Sequence, residues 1–355
     1  MLFKRLKIIR EKLQKEKLDG VLISTVSNIT YLTGYANFSK DEREAYLIIG
    51  KDFQYIITDG RYSEAIRNQV PHFDLFERSY TNPVENLFKN IQVKVLGIEE
   101  DSLTVSEYKE IKKYLKRPKK LKHFKLSRSI KTKDEIEKIE KACRIGDLAF
   151  EYILKKIKLG VTEKQIAREL EDFIKGQGGE FSFPAIVAFS KNSAIPHHQT
   201  GDKRLTINDT LILMDFGVKF EDYCSDMTRT IFFGKPSEEQ KKIYKTVLTA
   251  QQKAVDFVSP RTKAAEVDKV ARDYIISKGY PATPHSLGHG IGLEVHEHPH
   301  LSPKSKEILK EGMVFSIEPG IYIEGFGGVR IEDLFVYETS GLRQLTNSSK
   351  RLSSV

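Results

Sequence analysis

The chain has 355 residues, 39% hydrophobic and 30% charged, with a formal net charge of +9. That length holds two domains of ordinary size, and that balance excludes a disordered chain. No apolar run approaches the roughly 20 residues that span a bilayer. Only two cysteines are present, Cys143 and Cys224, which excludes a disulfide framework and fits a reducing cytoplasm.

Residues 1–20 carry positive charge without a continuous apolar run, so they read as a helix and not as a secretory signal. Leu2, Leu6, Ile9 and Leu13 lie at helical spacing. Short apolar runs at 21–23, 45–49 and 55–58, bounded by glycine and polar turns, predict strands, and residues 1–125 read as a small α/β domain. The densest basic stretch follows: Lys112, Lys113, Lys116, Arg117, Lys119, Lys120, Lys122 and Lys125. Such a run is a candidate RNA contact, the non-enzymatic alternative for this chain. It lacks the interleaved aromatics of a single-strand binder, and a solvated linker ahead of a second domain, 126–355, accounts for it better.

The second domain opens with a predicted amphipathic helix over 133–157, its stripe made by Ile136, Ile139, Cys143, Gly146, Phe150, Ile153 and Ile157. Thr162-Glu163-Lys164-Gln165 is a capping box that starts a second helix, which the glycines at 176–179 end. Strands are expected at 185–189, 210–216 and 223–233. The order then recurs: a capping box at 237–240, a helix with Ile243, Val247, Ala254 and Val258 on one side, a helix at 264–278, and strands at 313–317 and 328–337. Two helices followed by strands, twice, suggest an internal pseudo-twofold with a site between the halves.

Five potential metal ligands stand out from the many acidic side chains by their surroundings. Asp215 ends the apolar run Leu211-Ile212-Leu213-Met214, where a carboxylate is costly unless paired or metal-bound. Asp226 sits in YCSDMTRT, His289 in HSLGHGIG, and Glu318 follows an apolar run and precedes Pro319-Gly320. Glu332 lies two residues after Arg330 in an apolar run, where strand alternation puts Arg330, Glu332 and Leu334 on one face. A buried salt bridge explains that last pair by itself but not all five residues. Four carboxylates and one imidazole suffice for two divalent ions, and two metals sharing carboxylates can hold a hydroxide and polarise a carbonyl, the chemistry of amide hydrolysis. Ligand hardness favours Mn2+, with Co2+, Fe2+ and Zn2+ as alternatives. His296-Glu297-His298-Pro299-His300 satisfies the H-E-x-x-H pattern of zinc proteases, but Pro299 would interrupt the helix on which that motif depends.

The segments MDFG, SDMTRT, GHGIGLEVHE, EPGIY and GVRIED, in the order Asp, Asp, His, Glu, Glu, resemble the pita-bread metallopeptidases: methionine aminopeptidase, aminopeptidase P, prolidase and the non-metal relative creatinase. The two aspartates stand eleven residues apart, as in that family. The resemblance covers roughly residues 130–340. The stretches 28–34 and 58–62 resemble the N-terminal domain that aminopeptidase P, prolidase and creatinase carry and methionine aminopeptidase lacks. The resemblance implies a creatinase-like, ribonuclease H-like α/β domain followed by an α+β pita-bread catalytic domain. It implies hydrolysis of Xaa-Pro bonds at a free N-terminus, with Asp226 and Glu332 bridging two ions, Asp215 chelating one, and His289 and Glu318 completing the other. It assigns His197, directly after Pro196, and His296, seven residues past His289, to substrate hydrogen bonding and proton handling, with Glu318 as the proton shuttle. His198 adjoins His197 and is the alternative that the register leaves. His285, Arg330 and Tyr322 match substrate-binding positions. A cytoplasmic homodimer, whose N-terminal domain helps to wall the partner's site, is also implied. A creatinase-like amidinohydrolase is opposed by the complete ligand set, and methionine aminopeptidase by the N-terminal domain. Dipeptide and longer Xaa-Pro substrates both remain open.

Overall fold

A computed structural model describes residues 2–91, 93–114, 117–120 and 128–351. The chain divides into two compact units, Met1–Phe124 and Lys125–Val355. The expected domain boundary at 125/126 falls outside the described residues, as do Lys116, Lys122, His123 and Lys125.

The first unit contains α1 (Leu2–Glu16), β1 (Gly20–Ile23), α2 (Val26–Thr33), β2 (Tyr46–Gly50), β3 (Gln54–Thr58), α3 (Ser63–Gln69), β4 (Asp74–Glu77), α4 (Val84–Asn90), β5 (Val95–Ile98), α5 (Val105–Tyr114) and β6 (Arg117–Lys120). Its six strands form one mixed sheet in the order β4-β3-β2-β1-β5-β6. The helical spacing of α1 buries Leu6, Ile9 and Leu13. The three predicted strands are present as β1, β2 and β3. The basic stretch is not a linker where it is described: Lys112 and Lys113 close α5, and β6 pairs parallel with β5 at the sheet edge. The two family-like stretches of this unit have structural duties. Asn28 and the backbone amides of Ser24 and Thr25 donate to Glu99, and the Tyr62 hydroxyl donates to Glu44. Gly34, at φ 77°, ends α2 in the left-handed region that glycine tolerates best.

The second unit contains α6 (Lys133–Leu154), α7 (Glu163–Gly176), β7 (Glu180–Phe181), β8 (Ile186–Phe189), β9 (Leu211–Phe216), β10 (Val218–Phe220), β11 (Tyr223–Cys224), β12 (Met227–Phe232), α8 (Glu238–Phe257), α9 (Ala264–Ser277), β13 (Gly288–Gly290), β14 (Glu297–Leu301), β15 (Val314–Ile317), β16 (Gly320–Ile323), β17 (Gly327–Arg330), β18 (Asp333–Glu338) and β19 (Gly341–Gln344). Capping boxes at Thr132, Thr162 and Ser237 start α6, α7 and α8, each satisfying backbone donors at the helix entry. In the first half, α6 and α7 bury Ile145, Phe150, Ile166 and Leu170 against Val187, Met214 and Ile231. In the second, α8 and α9 bury Tyr244, Val247, Val267 and Ala271 against Phe315, Ile317 and Phe335. The main sheets are β12-β9-β8 in the first half and β14-β13-β15-β18-β19 in the second, beside the sheets β11-β10-β7 and β16-β17, so the order helix, helix, sheet recurs.

Two predicted strands require correction. The run 223–233 breaks at Ser225-Asp226: β11 pairs with β10, whereas β12 pairs with β9 in another sheet. The run 328–337 breaks at Ile331-Glu332: β17 pairs with β16, whereas β18 pairs with β15 and β19. Alternation along one continuous strand therefore does not bring Arg330 and Glu332 together; a change of pairing partner does. His296-Glu297-His298-Pro299-His300 runs into strand β14, so it has no helical face on which to build a zinc-protease site. Among the described residues, no helix is long and apolar enough to cross a membrane.

Candidate metal centre

Asp215 lies within β9, opposite Thr228 of the antiparallel strand β12. Asp226 and Glu332 occupy the two strand breaks, where a side chain can leave the sheet at an angle that a regular strand does not allow. His289 is the middle residue of β13. Added Cβ atoms on its neighbours Gly288 and Gly290 would lie 2.0 Å from Ser316 O and 2.1 Å from His298 O, so only glycine lets the flanking backbone approach so closely. Glu318 follows β15 directly.

All five side chains are largely withdrawn from water. Asp226, His289 and Glu332 offer ligand atoms that lie within 4.8 Å of one another. His289 Nε2 is 3.6 Å from Asp226 Oδ2 and 3.3 Å from Glu318 Oε1. Its Nδ1 donates to Gly290 O at 3.1 Å, which leaves a lone pair on Nε2 facing those carboxylates. Ser316 Oγ accepts from the His289 amide (3.0 Å) and donates to Glu318 Oε1 (3.3 Å). Thr228 Oγ1 donates to Glu332 Oε2 at 2.7 Å and accepts from Arg330 Nε at 2.9 Å. Arg330 continues to Asp215 Oδ2 at 2.5 Å and to the Tyr322 hydroxyl at 2.8 Å. The Tyr322 hydroxyl lies 2.9 Å from His285 Nε2, whose ring carries its other hydrogen bond at Ser286 O (2.8 Å).

These side chains fit divalent cations. Asp215 Oδ1, Asp226 Oδ1 and Glu332 Oε1 are buried and have no hydrogen-bond partner among the described residues, a costly arrangement for carboxylates unless a cation meets them. Burial holds Asp226 well above the usual carboxylate range, and repulsion from Glu332, Asp215 and Glu318 adds to it. Glu318 is raised by burial and then by Glu332. Glu332 is pushed up to about 8 by burial and then by Asp215. Burial and the neighbouring His296 push His289 down to about 3, keeping the imidazole neutral and able to ligate. Such a set binds either protons or metal, and one Arg330 is too little positive charge for four carboxylates.

The remaining candidates divide clearly. His296 stands edge-on to His289 with ring centroids 4.3 Å apart. His197 is exposed on the turn after Ser190–Ala194, near enough to His285 and His296 that its charge opposes theirs. His198 points elsewhere: its Nε2 is 2.9 Å from Glu163 Oε2, a fully buried carboxylate. Burial drives His285 down to about 4 and Tyr322 up to about 12, so both are neutral near pH 7. Sequence reasoning missed Thr228, Ser316 and Glu163. Thr228 was within reach, two residues after Asp226 in SDMTRT. Nothing local marks Glu163 as more than a capping-box residue.

Comparison with known proteins matches residues 137–339 to Metallopeptidase family M24 and residues 5–130 to the Creatinase/Prolidase N-terminal domain. An Xaa-Pro dipeptidase of Pyrococcus horikoshii is 38% identical over 98% of this chain and 98% of its own. An Xaa-Pro dipeptidase structure from Bacillus anthracis superposes with a TM-score of 0.93 at 35% identity, covering 100% of both chains. An X-Pro aminopeptidase structure from Thermotoga maritima superposes with a TM-score of 0.89 at 32% identity over 99% of each chain.

Proposed function

The chain belongs to metallopeptidase family M24, and from that premise we propose that it hydrolyses the Xaa-Pro bond of dipeptides at a dinuclear centre. The observation that carries this reading is the buried cluster of Asp215, Asp226, His289, Glu318 and Glu332 with its three unpartnered carboxylate oxygens. Asp215, Asp226, His289, Glu318 and Glu332 would together hold the ions, with Asp226 and Glu332, whose ligand atoms lie within 4.8 Å of His289, at the middle of the set. Mn2+ suits this oxygen-rich set best. When bound, the ions supply a polarised scissile carbonyl and an activated water.

The chain's own groups handle the rest. Glu318, whose Oε1 lies 3.3 Å from His289 Nε2 and accepts from Ser316 Oγ, takes the proton of the attacking water and delivers it to the departing proline nitrogen. His296 and His197 donate toward the oxygen on which negative charge develops. Arg330 spends its donors on Asp215, Thr228 and Tyr322, and so holds one ligand directly and Glu332 through Thr228. Tyr322 and His285, both neutral, line the substrate side. An Xaa-Pro bond has no N–H on its leaving side, so this site need not offer an acceptor there.

The second reading, an aminopeptidase acting on longer Xaa-Pro peptides, is favoured by the likeness to the Thermotoga maritima structure. One panel separates the two: Xaa-Pro dipeptides, Xaa-Pro-Yaa peptides and Met-Ala peptides, each with Mn2+ and with chelator. Mn2+-dependent release of proline from dipeptides, lost on chelation, is the expected result. Turnover of Met-Ala peptides alone, or turnover indifferent to chelator, overturns the assignment. We infer a cytoplasmic homodimer; the free thiols of Cys143 and Cys224 fit a reducing compartment, and sedimentation velocity tests the oligomeric state.

A further inference from the structure

We propose that Arg229, Asp333 and the C-terminal segment 346–350 form a strap that positions Glu332 and so sets the affinity of the centre for metal. The proposal rests on the reading of Glu332 as a ligand.

Glu332 sits between β17 and β18 and belongs to neither strand. Its backbone is held by two bonds: its amide donates to Thr228 O (3.1 Å), and its carbonyl accepts from Arg229 Nη1 (2.5 Å). Arg229 is 1% exposed, and all five of its N–H groups are used. Nη1 also donates to Thr228 O, Nη2 donates to Asp333 Oδ1 (2.5 Å), and Nε and Nη2 converge on Ser348 O at 3.2 and 2.9 Å. Asp333, with no exposed surface, accepts further from Thr346 Oγ1 (2.8 Å), Gln251 Nε2 (3.1 Å) and Lys350 Nζ (2.6 Å).

Both buried charges are therefore completed by residues beyond β19. The segment is itself pinned to both halves of the unit. The amides of Asn347 and Ser348 donate to Asp147 of α6 at 2.9 and 2.7 Å, and Tyr244 of α8 donates to Lys350 O at 3.1 Å. Without the strap, two guanidinium N–H groups lose their acceptor in a place closed to water, and Asp333 loses its ammonium partner. The guanidinium then shifts toward another acceptor, and the carbonyl of Glu332 loses the donor that fixes it. Its carboxylate, held among the described residues by Thr228, no longer meets an ion at a set angle. Groups that orient metal ligands from behind in this way commonly change affinity by 10- to 100-fold.

The test measures Mn2+ binding to metal-free protein by calorimetry, well below the unfolding temperature, with thermal unfolding of the same metal-free samples alongside. A chain ending at Thr346 is expected to bind Mn2+ about 10- to 100-fold more weakly. Asp147→Ala and Lys350→Met, which touch none of the five candidate ligands, are expected to weaken it in the same direction by less. They carry the test if the shortened chain does not fold. A strap that serves only the fold would lower the unfolding temperature and leave Mn2+ affinity within about twofold of the parent, and that result overturns the proposal. Glu332→Ala is the control. If it binds both ions like the parent, the ligand reading itself fails; if it loses metal while the strap variants do not, the strap alone fails.

Discussion

Replacing each of the adjacent histidines with alanine should produce two different kinds of damage. His198 is one of four donors to the fully buried Glu163 carboxylate, with Phe189 N (2.9 Å), Asn192 Nδ2 (2.7 Å) and Gly201 N (3.0 Å). Removing one donor from a buried carboxylate costs about 1–3 kcal/mol. In a unit of this size each kcal/mol lowers the melting temperature by about 2–4 °C, so His198→Ala should melt roughly 2–12 °C lower. Its turnover should change by less than about threefold, because the ring is bonded to Glu163 and not to any of the five candidate ligands. His197 is exposed, so His197→Ala should leave stability within about 0.5 kcal/mol. If it assists at the reacting carbonyl, its loss should cut turnover by about 10²- to 10⁴-fold. The assay pairs steady-state hydrolysis of an Xaa-Pro dipeptide with a melting curve and elemental analysis, and both variants should retain full metal. The reverse ranking, a stable and inactive His198→Ala beside an active His197→Ala, would falsify this division of labour.

Further outcomes follow from the buried carboxylates. Asp226→Ala should lose activity and metal yet keep its circular dichroism, and its metal-free form should melt no lower than the parent at pH 8, since a carboxylate repelled by three neighbours has gone; full metal content with normal turnover would sink the five-ligand assignment. In chelated protein, Glu332 binds its proton up to about pH 8 when folded, against an ordinary 4.5. Its stabilising contribution is therefore complete below about 4.5 and lost as pH rises through about 8, and raised Asp226 and Glu318 act in the same direction. The melting temperature of the chelated protein should fall between pH 5 and 8 and recover on adding Mn2+ at pH 8; a flat profile contradicts the burial of these charges. Thr228→Val, nearly isosteric in β12, removes the hydroxyl shared by Glu332 and Arg330, and titration should find Mn2+ affinity about 10- to 100-fold lower with the fold intact. Unchanged affinity would mean that the hydroxyl does not orient Glu332.

The features legible from sequence are those with a local physical cause. Capping boxes at Thr162 and Ser237 bond within four residues, and helical stripes such as Ile139, Phe150 and Ile153 follow from 3.6 residues per turn. The five candidate ligands were visible because carboxylates beside apolar runs are costly, and because their motifs carry a strong family likeness. What sequence could not reveal was every feature decided by a distant partner. Regular alternation predicts unbroken strands through Asp226 and Glu332, yet both runs break there, because each segment pairs with a different sheet and pairing is a long-range choice. His197 and His198 are chemically identical neighbours, separated only by Glu163, which lies more than thirty residues away and is buried against one of them. Thr228, Arg229 and the C-terminal segment matter through contacts made over a hundred residues apart. The sequence determined which groups can bind metal; only the packing of two halves determined which of their oxygens are left without a partner.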